Sequence, residues 1–109
     1  MTGSYDLALT RGLEGKITKG ENDASVSIEN ASLLRFLSGP AFSAGIARGS
    51  PFEIVVNTQD QLVANYFNGD SMNTFVLNKR NGLAIWSKVR ATFPVYDAPT
   101  GGQSYLICQ

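Results

Sequence analysis

Asn30-Ala31-Ser32-Leu33-Leu34-Arg35-Phe36-Leu37-Ser38-Gly39-Pro40 is the stretch whose reading decides the fold class. Leu33, Leu34, Phe36 and Leu37 stand at i, i+1, i+3 and i+4, which lays one apolar stripe along a helix. Asn30 or Ser32 suits the N-cap, where a side-chain oxygen accepts a backbone N–H that the first turn leaves unpaired. Gly39 suits the left-handed position past the last turn, and Pro40 cannot prolong a helix. These residues predict a short helix over 31–38, with a further helical turn over 41–48 before Gly49-Ser50-Pro51 ends it.

Outward from that segment the pattern changes to strands. On the C-terminal side, Phe52 to Val56, Gln61 to Phe67, Asn73 to Lys79 and Leu83 to Arg90 are rich in β-branched and aromatic residues. Turn signals separate them at Gln59-Asp60, Asn68-Gly69-Asp70 and Arg80-Asn81-Gly82. Residues 91–103 hold Pro94, Pro99, Gly101 and Gly102 and read as a long loop, after which Ser104 to Cys108 reads as a closing strand. On the N-terminal side, Tyr5 to Thr10 and Ala24 to Glu29 alternate with period two, around a glycine-punctuated stretch in which 15–19 suits a short strand. The expected architecture is α+β within a single domain over 1–109. A C-terminal antiparallel meander of four to five strands packs on the short helical segment, with the N-terminal strands beside it.

The last hairpin carries the candidate site. A three-residue loop, Arg80-Asn81-Gly82 with Gly82 left-handed, pairs Lys79 with Leu83. One face then holds Phe75, Leu77, Leu83, Ile85 and Val89, and the other holds Thr74, Val76, Asn78, Ala84, Trp86, Lys88 and Arg90. A one-residue slip exchanges the faces, and this register separates apolar from polar residues better than a two-residue turn does. Trp86 beside Lys88 and Arg90 offers an aromatic and two cations to a ligand ring or a protein partner, with Thr74 and Val76 on the same face. The competing reading packs Trp86 under the N-terminal segment or against Val76 across the strands.

Composition excludes more than it assigns. Lys and Arg total 9 and Asp and Glu total 9, so the net charge is zero and the basic footprint of a nucleic-acid binder is lacking. The chain has no His, which rules out His-dependent triads and His-ligated metals. Cys108 is the single cysteine, so no disulfide forms within the chain; it suits a small apolar position in the last strand or an intermolecular bridge. Asn68-Gly69-Asp70-Ser71-Met72-Asn73 lacks the acidic spacing of a calcium loop, and Thr100-Gly101-Gly102 lacks the Lys-Ser/Thr of a phosphate loop. A glycosidase needs two carboxylates facing each other across a cleft; a chain this short offers little cleft, and the nine carboxylates read as solvated surface groups. No catalytic residue, cofactor or metal is expected. No apolar run reaches the roughly 20 residues of a membrane helix, and Met1 to Tyr5 has no signal-peptide character.

Leu77-Asn78, Gly82-Leu83-Ala84-Ile85-Trp86 and the closing Tyr105 to Cys108 resemble small exported proteins of Gram-negative bacteria, some of them known as antigens. The resemblance spans about the last third of the chain, and the second cysteine usual in that group is missing. It implies a periplasmic or secreted protein and carries over no functional residue. The expected function is a non-enzymatic binding or interaction module of an exported bacterial protein. Its partner would be a protein or cell-envelope component rather than nucleic acid, and it would be a monomer or a weak homodimer joined through strand edges or Cys108. The alternative is a small cytoplasmic ligand-binding domain or a weak carboxylate-dependent hydrolase.

Overall fold

A computed structural model describes residues 3–12, 14, 16, 24–38, 50–69, 71–90 and 99–108. Among them every regular element is a strand: β1 Gly3–Thr10, β2 Ala24–Asn30, β3 Leu33–Ser38, β4 Pro51–Asn57, β5 Gln61–Asn68, β6 Ser71–Asn78, β7 Leu83–Arg90 and β8 Thr100–Cys108. Each strand pairs antiparallel with the next, and β8 returns to β1, so the sheet closes into an up-and-down barrel. β1 serves both neighbours: Gly3 to Leu7 pair with β2, and Leu7 to Thr10 pair with β8.

The α+β expectation is therefore wrong; the described residues form an all-β fold. The segment expected as a helix over 31–38 is β3 and the turn before it. Asn30 Oδ1 accepts the backbone N–H of Ser32 at 2.9 Å and its hydroxyl at 3.0 Å. An N-cap uses the same kind of bond, but here it closes the β2–β3 hairpin as an Asx turn. Burial along β3 then alternates, with Leu34 and Phe36 inside and Leu37 outside. The helical turn expected over 41–48 and the strand expected over 15–19 lie outside the described residues, apart from Lys16.

Residues 100–103, expected as the end of a long loop, belong to β8, which begins at Thr100; residues 91–98 of that expected loop lie outside the described residues. Gly101 belongs in β8 for a packing reason. A Cβ on it would lie 2.9 Å from Val89 Cγ1 and 3.0 Å from the Lys88 carbonyl oxygen.

The lumen is the core. Leu7, Val26, Leu34, Phe52, Leu62, Phe75, Leu77 and Leu106 are fully buried within one cluster, with Tyr5, Leu9, Tyr66 and Cys108 packed on it. Phe36 is the aromatic hub, its ring centroid 3.9 Å from Trp86, 4.9 Å from Phe52 and 5.4 Å from Phe75. An eight-stranded barrel has just enough interior for side chains to fill it or for one small ligand, and this aromatic group fills the middle. Closure also removes the free strand edges expected as a route to assembly. Cys108 faces inward, its N–H donating to the Gly82 carbonyl at 2.8 Å.

Candidate functional site

The register of β6, β7 and β8 places the candidate residues. Phe75 pairs with Trp86 and Leu77 with Ala84, so Lys79 to Gly82 form a four-residue connection and the expected Lys79–Leu83 pair does not form. Lys79 leaves the ladder because the neighbouring hairpin holds it. Its N–H donates to the Asp60 carbonyl at 2.9 Å, and its Nζ donates to Asn57 Oδ1 at 2.6 Å. Asn78 and Asn81 brace the turn, accepting the N–H groups of Arg80 and Leu83 through their side chains. Gly82 is left-handed, at φ 77°.

That one-residue difference turns β7 over relative to β6. Trp86, Lys88 and Arg90 point inward on the face of Phe75 and Leu77, while Thr74 and Val76 point outward. Val76 is 40% exposed, and the Thr74 hydroxyl donates to Asn65 Oδ1 at 3.0 Å across the outer surface. Trp86 is 2% exposed, so it is no surface platform for a ligand ring. It packs among Phe36, Phe52 and Phe75, and its Nε1–H donates to Asn73 Oδ1 at 3.3 Å. Asn73 is fully buried, and its Nδ2 donates onward to the Tyr66 carbonyl at 3.3 Å.

Reading inward positions along the barrel axis, three strands change chemistry at one level. Leu77, Ala84 and Leu106 form an apolar row across β6, β7 and β8, and Phe75, Trp86 and Ser104 form the next. Beyond Trp86 come Asn73, Lys88 and Gly102, then Ser71, Arg90 and Thr100. These polar rows lie at the barrel end served by the connections after β1, β3, β5 and β7.

A cavity of about 400 Å³ opens there, lined by Trp86, Lys88 and Arg90 of β7 and by residues 100–104 of β8. Trp86 closes its inner end. A Cβ added at Gly102, directly across from Lys88, would meet no atom within 4 Å, so the missing side chain is part of the space. Among the described residues, Lys88 and Arg90 are the charged groups lining this cavity. Asp6, Glu29, Glu53 and Asp60 are exposed elsewhere, and no three of His, Cys, Asp or Glu come together as a metal site among the described residues.

Ser71, Asn73 and Gly102 were weighed at the sequence level only within the dismissed calcium-loop and phosphate-loop candidates; strand alternation from Trp86 together with the correct register places them beside Lys88 and Arg90. Among the described residues no helix is long and apolar enough to cross a membrane. Comparison of the chain with protein-family models, curated proteins and solved structures finds no match.

Proposed function

We propose that this barrel is a non-catalytic binding module that takes a small organic anion in its lumen. The anionic group sits with Lys88 and Arg90, and the body of the ligand reaches toward Trp86. The observation that carries the reading is the pair of successive inward cations on β7 facing the space left by Gly102. Two cations at one cavity wall supply the electrostatic half of an anion site, and Arg adds a planar fork that matches a carboxylate or a phosphate.

The size is suitable. Ligand pockets run from about 300 to 1,000 Å³, and roughly 150 Å³ already holds a benzene. The 400 Å³ here suits a one- or two-ring acid or a short acyl chain. The stems of Lys88 and Arg90 and the edge of Trp86 provide its apolar contacts.

Trp86 is the chain's single tryptophan and so reports on the cavity directly. Titration with benzoate, 2-naphthoate and hexanoate, against neutral 2-naphthylmethanol and inorganic phosphate, should give a saturable change in its emission for at least one organic anion. Lys88→Gln and Arg90→Gln should each weaken that anion about tenfold or more, since a hydrogen bond to a charged group contributes roughly 1.5–3 kcal/mol. Equal binding of the neutral alcohol, indifference to both substitutions, or silence of every probe by fluorescence and calorimetry would each overturn the proposal.

A further inference from the structure

Ser104 puts a hydroxyl at a level of the lumen that is otherwise apolar. β8 sends Thr100, Gly102, Ser104 and Leu106 inward, across from Arg90, Lys88, Trp86 and Ala84 of β7. Phe75 and Trp86 share the level of Ser104, and Leu77, Ala84 and Leu106 form the next row inward. Those five neighbours are buried, whereas Ser104 is half-buried and lines the cavity that Lys88 and Arg90 face from nearer the mouth.

Among the described residues the Ser104 hydroxyl has no side-chain hydrogen-bond partner. The Trp86 Nε1–H beside it donates to Asn73 Oδ1, and Asn73 Nδ2 donates onward to the Tyr66 carbonyl. Gln103 and Tyr105, its neighbours in the chain, bond each other at 2.6 Å on the outer surface. A hydroxyl against an apolar wall is costly when whatever fills the space offers it nothing, because a donor and an acceptor are then desolvated and left unpaired. Thr100 differs, since it is exposed at the mouth beside Arg90 and its hydroxyl stays in water.

We infer that the ligand carries a hydrogen-bonding group at the end opposite its anion, and that Ser104 selects for it. This rests on the anion site at Lys88 and Arg90 and narrows its ligands to hydroxylated ring acids. A serine hydroxyl both donates and accepts, so a ligand hydroxyl can meet it in either sense. Lys88 and Arg90 stand two and four residues along the strand from the level of Trp86 and Ser104, roughly 7 and 13 Å at about 3.3 Å per residue. An acid of one or two rings with its hydroxyl at the far end covers that separation. A saturated acyl chain would instead bring a methyl group against the Ser104 hydroxyl and strip it of water. Trp86, its N–H engaged by Asn73, supplies ring contact and leaves polar recognition at this depth to Ser104.

Isothermal calorimetry of the full chain compares matched acids: 4-hydroxybenzoate against benzoate and 4-methylbenzoate, and 6-hydroxy-2-naphthoate against 2-naphthoate. The hydroxylated member of at least one set should bind about three- to tenfold tighter, the range of one neutral hydrogen bond. Ser104→Ala should abolish that preference and leave the unsubstituted acid bound as well as before or better. Far-UV circular dichroism confirms that the variant is folded. Acids that bind without preferring the hydroxyl, a preference that survives Ser104→Ala, or a uniform loss of all acids in that variant would overturn this inference and leave the anion site standing. Silence of every acid would overturn both.

Discussion

Phe36 and Leu37 are neighbours, and truncating each in turn separates the barrel from the helix their sequence suggests. In a helix over 31–38 both residues lie on the apolar stripe, so their losses would be comparable. In the barrel Phe36 is 3% exposed and touches three aromatic rings, whereas Leu37 is 40% exposed on the outer surface. Burying a Phe side chain contributes roughly 1.5–3 kcal/mol through transfer alone, and the cavity left by Phe36→Ala brings the loss to about 3–5 kcal/mol. Leu37→Ala forfeits only part of a leucine's transfer term and opens to solvent rather than to a cavity, so it costs about 1 kcal/mol or less. Leu34→Ala, fully buried one pair further along the strand, should cost about 2–5 kcal/mol. The assay is equilibrium unfolding in urea, followed by far-UV circular dichroism as well as fluorescence, because Phe36 touches the ring of Trp86 and alters its signal. With a slope of about 2 kcal/mol/M, Phe36→Ala lowers the midpoint by roughly 1.5–2.5 M and Leu37→Ala by about 0.5 M at most. Equal losses from the two truncations would refute the inward placement of Phe36 and with it the assignment of β3.

Asn73→Leu should cost about 1–3 kcal/mol in the same assay, because it leaves the Trp86 Nε1–H buried without its acceptor; a neutral result would mean that the bond contributes nothing. Gly101→Ala should destabilise by about 1–3 kcal/mol through its clash with Val89 and the Lys88 carbonyl, whereas Gly102→Ala should be nearly neutral to folding. Gly102→Leu should remain folded yet lose binding of any anion the native barrel takes. Burial pushes the Cys108 thiol above its ordinary value of 9.0, and burial, then Cys108, pushes the Tyr5 phenol above 10.0. Both groups bind protons more tightly when folded, so their contribution to stability is full below about pH 8.5 and falls as pH rises beyond it. Cys108→Ala should flatten the first part of that alkaline loss in a series of urea midpoints against pH.

The strands whose alternation or turns are unambiguous were legible in the sequence. β7 runs over Leu83–Arg90 as expected, and β5 and β6 differ from expectation only at their ends. What was not legible has local physical causes. Leu33 and Leu37 are apolar residues on the outer side of β3, and they hide the alternation that Leu34 and Phe36 would otherwise display. Asn30 makes a bond to the i+2 amide that serves a hairpin turn as well as a helix cap. Gly101 and Gly102 read as loop, although one is required by close strand approach and the other leaves room in the lumen. Local propensity favours the other alternative in each case, since leucines suit a helix and glycines a loop. What decides against it is what the segment meets across the barrel, which no window of neighbouring residues contains.

The candidate site illustrates how much rests on one residue of register. Trp86, Lys88 and Arg90 share a face in any strand, so their association was available from spacing alone. Whether that face looks outward with Thr74 and Val76, or inward with Phe75 and Asn73, depends on whether Lys79 continues the ladder. It does not, because Asn57 and the Asp60 carbonyl draw it to the next hairpin. The consequence is chemical. Outward, the two cations would be ordinary solvated charges on a sheet. Inward, they line the cavity above an aromatic core, with Lys88 beside the fully buried Asn73 and across from Gly102. The same turn of β7 places Ile85 and Val89 outside, beside Val76 and Met72. The hold on Lys79 therefore sets both the polar lumen and the apolar exterior, so a change that let Lys79 rejoin the ladder would remove the two together.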